Sequence, residues 1–169
     1  NTNTIIFDRN FKIPSIRYQL NPNNTIIFSV FDRIINQVFQ RCYLNDKNTK
    51  VYFDQLVNLQ NGADYTRYVF FYLNYLLENN EYKEAKDITD NLNYLNSSLL
   101  ISQGKNWIEE KKFKHFNKIF SCKKPNDLLS ELFFLVANLY SSQGNFEESN
   151  FYMNISYYLN PKFIYNLSL

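Results

Sequence analysis

Glycine and proline are scarce in this 169-residue chain, with 3 and 4 residues respectively. An all-β sandwich or barrel needs frequent tight turns, so that scarcity argues against one and favours long uninterrupted helices. Two cysteines do not make a disulfide framework, and one histidine does not anchor a zinc cluster. Neither sign of charge dominates: 18 basic and 16 acidic side chains leave a formal charge of +2, which argues against a dedicated nucleic-acid binder. No stretch reaches the roughly 18 apolar residues of a membrane span, and the richest run, Tyr68 to Leu77, is broken by Asn74. No basic start followed by an apolar core marks a signal peptide. The sequence opens at Asn1 without a methionine and stops at Leu169. Both ends therefore read as cuts from a longer protein. The cytoplasm is the default compartment, and the cell envelope follows if the parent carries a signal or anchor.

Hydrophobic residues are plentiful at 45%, enough for a real core, and the length suits one domain. Aromatics reach 18%, and asparagine occurs 26 times. Together with the isoleucine and lysine content this reads as AT-rich codon usage rather than a prion-like tract. The same bias devalues the glycosylation triplets at Asn23, Asn96, Asn154 and Asn166.

Internal repetition is the strongest signal. Glu131–Pro161 reads as two helices around Gly144-Asn145. The first carries Phe133, Val136, Ala137 and Tyr140, spaced i, i+3, i+4, i+7 as on one helical face. The second carries Phe146, Ser149, Met153 and Ser156. Gly144 suits the turn because it accepts positive φ, and Pro161 stops the second helix. Upstream, Leu100-x2-Gln103-Gly104-x2-Trp107 and Val69-x2-Tyr72-Leu73-x2-Leu76 repeat the pattern. Phe39-Gln40-x2-Tyr43 echoes it faintly. The equivalent positions Gln40, Leu73, Gly104 and Ala137 are spaced 33, 31 and 33 residues, and Tyr52, Ala85, Phe116 and Ser149 keep the same steps.

These segments resemble the tetratricopeptide repeat, the helix–turn–helix pattern W-x2-L-G-x2-Y…A-x3-F…P. In the last unit Phe133, Val136, Ala137, Tyr140, Ser149, Met153 and Pro161 match it in size and order. Phe116 departs from it, standing where a small residue belongs, as does Lys123. The resemblance implies an all-α fold, a right-handed α-α superhelix built as a solenoid of antiparallel hairpins. The units expected are about 24–61, 64–95, 98–124 and 127–161, with a further helix beginning at 161–169. Residues 1–23, with Pro14 and Pro22, read as an extended linker or irregular edge. In the final segment Phe163, Ile164 and Leu167 are expected to lie exposed, giving self-association through the Pro161–Leu169 edge.

Chemistry is thin. His115 sits among Lys111, Lys112, Lys114 and Lys118, the wrong company for a metal. Cys42 and Cys122 read as packing thiols, and a disulfide requires the fold to bring them close. The pairs Glu109-Glu110 and Glu147-Glu148 read as exposed charges. No phosphate loop, dinucleotide fingerprint or nucleophile elbow is present. No catalytic residue, cofactor or metal is expected, so the chain reads as no enzyme. Lys105–Lys124 holds seven lysines and two glutamates. That run reads as a solvated helix face, with docking on an acidic partner or anionic surface as the alternative. Its interleaved aromatics fall on core positions rather than forming a base-stacking platform.

In the family it resembles, first helices line a concave groove that holds peptides or partner helices. The resemblance places Arg67, Phe70, Asn74, Ile101, Lys105, Phe134 and Asn138 on that groove. A family subtype clamps a C-terminal carboxylate with Lys, Arg and Asn. Here those positions hold Phe70, Asn74, Ser102, Glu131 and Leu135, and only Asn74 matches. The expected function is a non-catalytic scaffold whose partner is a protein or peptide. The alternatives are a repeat region of a larger enzyme of the glycosyltransferase kind and a component of a cell-envelope or secretion assembly.

Overall fold

A computed structural model describes residues 22–58, 65–92 and 99–164. Among the described residues the chain is all-α, with eight helices and no strand. It divides into two compact units, Asn1–Asn58 and Leu59–Leu169. The edge expected at residues 1–23 lies outside the described residues except at Pro22 and Asn23, which are already helical.

Among the described residues the first unit holds a hairpin of α1 (Pro22–Tyr43) and α2 (Thr49–Asn58). Ile35, Val38, Phe39 and Cys42 are buried at i, i+3, i+4, i+7, which is the inner stripe of an amphipathic helix. Thr49, Phe53 and Leu56 form the buried stripe of α2. Arg41 donates to Asp46 at 2.7 Å and lies over the Tyr52 ring at 4.2 Å. The Asp46 carbonyl and carboxylate accept from Thr49 Oγ1 at 2.6 Å and the Asn48 N–H at 2.7 Å, closing the turn.

The second unit holds α3 (Tyr65–Glu78), α4 (Tyr82–Asn91), α5 (Leu99–Glu109), α6 (Lys114–Ile119), α7 (Pro125–Ser142) and α8 (Phe146–Leu159). In α3 every residue from Arg67 to Asn74 is buried. A helix apolar all round its circumference belongs inside a fold rather than on its surface. Rings from later segments pack against it: Phe116 stacks on Phe70 at 4.9 Å, and Phe120 stacks on Phe71 at 3.7 Å. Gly104 of α5 explains how Phe116 occupies a position where a small residue was expected. A Cβ on Gly104 would stand 3.3 Å from Phe116 Cζ, so the missing side chain of one helix makes room for the ring of the next. The α7–α8 hairpin closes on a seam of small residues. Ser130 Oγ donates to the Ser156 carbonyl and Ser156 Oγ to the Ser130 carbonyl, each at 2.8 Å, beside buried Ala137 and Ser149.

All four first helices end in the same way. Asn45, Asn80, Lys111 and Gly144 adopt left-handed backbone with φ of 53°, 63°, 56° and 77°. The N–H of each bonds the carbonyl three residues back, at Cys42, Leu77, Ile108 and Ser141. The next residue's N–H reaches five back: Asp46 to Arg41, Glu81 to Leu76, Lys112 to Trp107 and Asn145 to Tyr140. This is the Schellman termination repeated four times. It also fixes the register. Seven residues before each turn stand Val38, Leu73, Gly104 and Ala137, all buried. The first-unit position expected at Gln40 is therefore two residues late, and Gln40 is exposed. In the second helices Thr49, Ala85 and Ser149 are the small buried residues, while Tyr52 is half-buried.

The end of the chain also departs from expectation. After α8, Asn160 donates to the Ile119 carbonyl at 2.8 Å, and Phe163 turns inward, 1% exposed. Its ring meets Phe71 at 5.4 Å. Phe163 therefore closes this unit instead of lying open as the start of another; Ile164 is exposed as expected, and Leu167 lies outside the described residues.

A non-glycine residue in the left-handed region costs about 1–2 kcal/mol, and glycine's greater freedom in the unfolded chain returns part of that. Lys111→Gly is therefore expected to stabilise the chain by about 0.5–1 kcal/mol in urea unfolding. A loss of stability would mean that Lys111 contributes more to the turn through its side chain than its backbone costs.

Candidate protein-interaction surface

The seven residues expected to line an open groove fall elsewhere. Arg67, Phe70, Asn74, Ile101 and Phe134 are buried, and Lys105 and Asn138 are half-buried. The reason is the filling of the α3 face: Phe116, Phe120, Phe134 and Phe163 pack on the helix that would have lined the groove. Lys105 is tied down by Asp90 at 3.5 Å and Glu109 at 3.7 Å.

Arg67 shows the change of role most clearly. Its Nε lies 2.8 Å from both carboxylate oxygens of Glu131, and Nη2 makes a further close contact with Oε2. Tyr68 donates its hydroxyl to Glu131 Oε1 at 3.2 Å. The guanidinium lies 3.7 Å from the Phe134 ring centre, 4.4 Å from Phe163 and 5.6 Å from Phe71. A planar cation accepts a carboxylate at its edge and aromatic rings at its faces at once. Both charges are almost wholly shielded from solvent. The site is thus a complete internal lock between α3, α7 and the segment after α8, with its cation already satisfied. Glu131 and Tyr68 were missed as its members. The signal was an arginine next to the aromatic and aliphatic run Tyr68–Leu73, which demands a carboxylate from another element.

A second polar cluster holds the turn between α6 and α7. Ser121 donates its hydroxyl to Glu78 Oε1 at 2.6 Å and its N–H to Asp127 Oδ2 at 2.8 Å. Asn74 donates to the Phe120 carbonyl at 2.5 Å. Lys123 lies 3.6 Å from Glu78, and Lys124 3.8 Å from Asp127. Burial raises the Asp127 carboxyl above its ordinary value and the charge of Glu78 adds to this, against the Ser121 N–H, Lys124 and Lys162. Among the described residues no group of three or more His, Cys, Asp and Glu is placed to hold a metal ion. The His115 ring lies 5.3 Å from Trp107, with Nδ1 3.2 Å from the Lys112 carbonyl. Cys42 and Cys122 are both buried.

Four of the exposed large hydrophobic residues lie on α8. Phe146, Phe151, Tyr157 and Tyr158 are exposed, Tyr158 to 84%. Phe151 and Tyr158 are seven residues apart and share one face. That face continues through half-buried Ile155 to Tyr152, whose ring stacks on Tyr140 at 5.4 Å and lies edge-on to Phe151 at 5.3 Å. The small, polar seam of the hairpin explains this display. Ser149 and Ser156 take the inner face of α8, with Met153 as its one large buried side chain, so most of the aromatics point outward. No helix among the described residues is long and apolar enough to cross a membrane. No family model, no curated protein and no solved structure matches the chain.

Two outcomes follow. Glu131→Ala strands a buried guanidinium and should cost about 3–5 kcal/mol, whereas Arg67→Met with Glu131→Leu should recover most of that loss. Urea unfolding measures both, and a single-variant cost below about 1 kcal/mol would mean the pair is not closed. For Asp127 the folded carboxyl binds its proton more tightly than the unfolded one. Its contribution to stability is therefore largest in acid and is lost as pH rises through its folded pKa. Asp127→Asn, which can still accept from the Ser121 N–H, should be more stable than wild type at pH 7, with the gap closing towards pH 4.

Proposed function

We propose that the chain is a non-catalytic helical scaffold that holds a protein partner, a tetratricopeptide-like array of hairpins related by a right-handed superhelical stacking. Four first helices ending in the same hydrogen-bonded turn support the repeat reading. One observation carries the binding reading: the aromatic face of α8, where Phe151 and Tyr158 stand exposed beside the Tyr140–Tyr152 stack. Contiguous exposed apolar surface of this kind marks an interaction site, and aromatic residues dominate the energetics of such sites. A single hairpin does not bury its own outer face; a neighbour has to cover it. The occupant we assign is an amphipathic helix of a partner laid along α7 and α8. The buried groove residues leave this outer face, rather than a concave one, as the contact surface. A second copy of the chain is the competing occupant.

The test places a photo-crosslinking residue at Tyr157, at the edge of the face, and compares wild type with Phe151→Glu/Tyr158→Glu in cells. Both changed side chains are exposed, so stability should shift by no more than about 0.5 kcal/mol each. The expected result is an adduct with one other protein in wild type, lost in the double variant. Adducts with the chain itself would identify a homo-oligomer. Equal adduct yields in both backgrounds would remove the face from the function.

A further inference from the structure

The lysines of Lys105–Lys124 divide into two groups. Lys105 is paired with Asp90 and Glu109, Lys112 with Glu110, Lys123 with Glu78 and Lys124 with Asp127. Lys111, Lys114 and Lys118 are exposed, and none of the ion pairs among the described residues includes them. The unneutralised charge of the segment is therefore concentrated on one turn and one short helix.

Two features of that concentration work against stability. Lys114 and Lys118 stand at i, i+4 on α6, where like charges repel. Lys111 occupies the left-handed turn position that asparagine or glycine takes in the three other hairpins. A lysine there sets a side chain at the tip of the turn in a backbone conformation that disfavours it. Strain and repulsion kept side by side, with no internal partner, point to an external one.

We propose that Lys111, Lys114 and Lys118 form a docking surface for an acidic stretch of a partner protein. The spacing fits. Four residues of helix place Lys114 and Lys118 about 6 Å apart along the axis. Carboxylates at alternate positions of an extended chain are about 6.6 Å apart on one side. The platform is firm: Phe116 is fully buried beneath it, and Phe113 is stacked by Tyr82 at 4.7 Å. The same packing disfavours the other anionic partners. Single-stranded nucleic acid needs free aromatic faces, and Phe116 and Phe120 are buried. A membrane surface needs apolar side chains to insert beside the lysines, and none of the large exposed hydrophobic residues falls within Lys105–Lys124. The three lysines belong to the turn after α5 and to α6, and the aromatic face belongs to α8, so the two assignments are tested by different substitutions.

The test is fluorescence anisotropy with a labelled ten-residue peptide of alternating Glu and Ser and the purified full chain, in low and in physiological salt. Lys111→Glu/Lys114→Glu/Lys118→Glu should weaken binding at least tenfold. Arg33→Glu/Lys47→Glu/Lys162→Glu changes the net charge by the same amount at other exposed positions and should weaken it less than threefold. The corresponding glutamine triple removes the charges without reversing them and should show an intermediate loss, which guards against misfolding of the glutamate variant. Lys111→Gly alone, expected to stabilise the fold, should still weaken binding severalfold. Physiological salt should reduce affinity in wild type more than in the lysine triple. Equal weakening by the two glutamate triples would assign binding to the whole molecule's field and overturn the surface. Tighter binding of an oligouridine or of anionic vesicles than of the peptide at equal salt would overturn the partner. No binding in low salt would overturn both.

Discussion

A guanidinium without solvent around it constrains everything near it, and Arg67 imposes that constraint on the second unit. Its charge is tolerable only with a carboxylate at its edge, which fixes α7 through Glu131. Its faces are covered by Phe134 and Phe163, which fixes the segment after α8 as well. One residue of α3 thus sets the positions of two later segments. The arrangement has specificity that an all-apolar contact would lack, because displacing any one member leaves a buried charge without its partner.

Around that lock the packing is aromatic, and rings demand room. The room comes from deletions elsewhere. Gly104 carries no side chain where Phe116 stands, and Ser130 and Ser156 exchange hydrogen bonds where larger residues would hold α7 and α8 apart. Volume is conserved across the pair rather than at each position. A template that assigns large and small residues position by position therefore misreads Phe116 as an error. The Glu78–Ser121–Asp127 cluster plays the corresponding part at the polar end of the core, holding the turn that swings α7 against α3.

Helical periodicity made the hairpins legible because one buried stripe per helix leaves a period of 3.6 in the sequence. It located the turn at Gly144 and the packing of Leu73, Ala85, Ala137 and Ser149 from residue type alone. It slipped by two residues in the first unit. Gln40 and Val38 both neighbour apolar residues there, and the turn that settles the register uses Asn45, one asparagine among many. The groove was illegible for a different reason. Whether the face of α3 stays open depends on where Phe163 goes, and that is decided by a contact with Arg67 ninety-odd residues away in sequence. Periodicity records which face of a helix is apolar; it does not record what comes back to cover it. Arg67 itself held the missing information, since an arginine next to the aromatic and aliphatic run Tyr68–Leu73 implies a counter-charge brought in from another element.

The reciprocal serine seam of α7 and α8 also has a kinetic meaning. Its partners are 26 residues apart, whereas Arg67 and Glu131 are 64 apart. Closing the shorter loop costs roughly 0.8 kcal/mol less chain entropy. The hairpin is also stitched by its own turn at Gly144 and needs nothing from α3 to form its hydrogen bonds. Local contacts form early and remote ones late. The hydrogen bonds of the α7–α8 hairpin are thus self-contained. Its aromatic outer face depends on α3 for stability but not for shape.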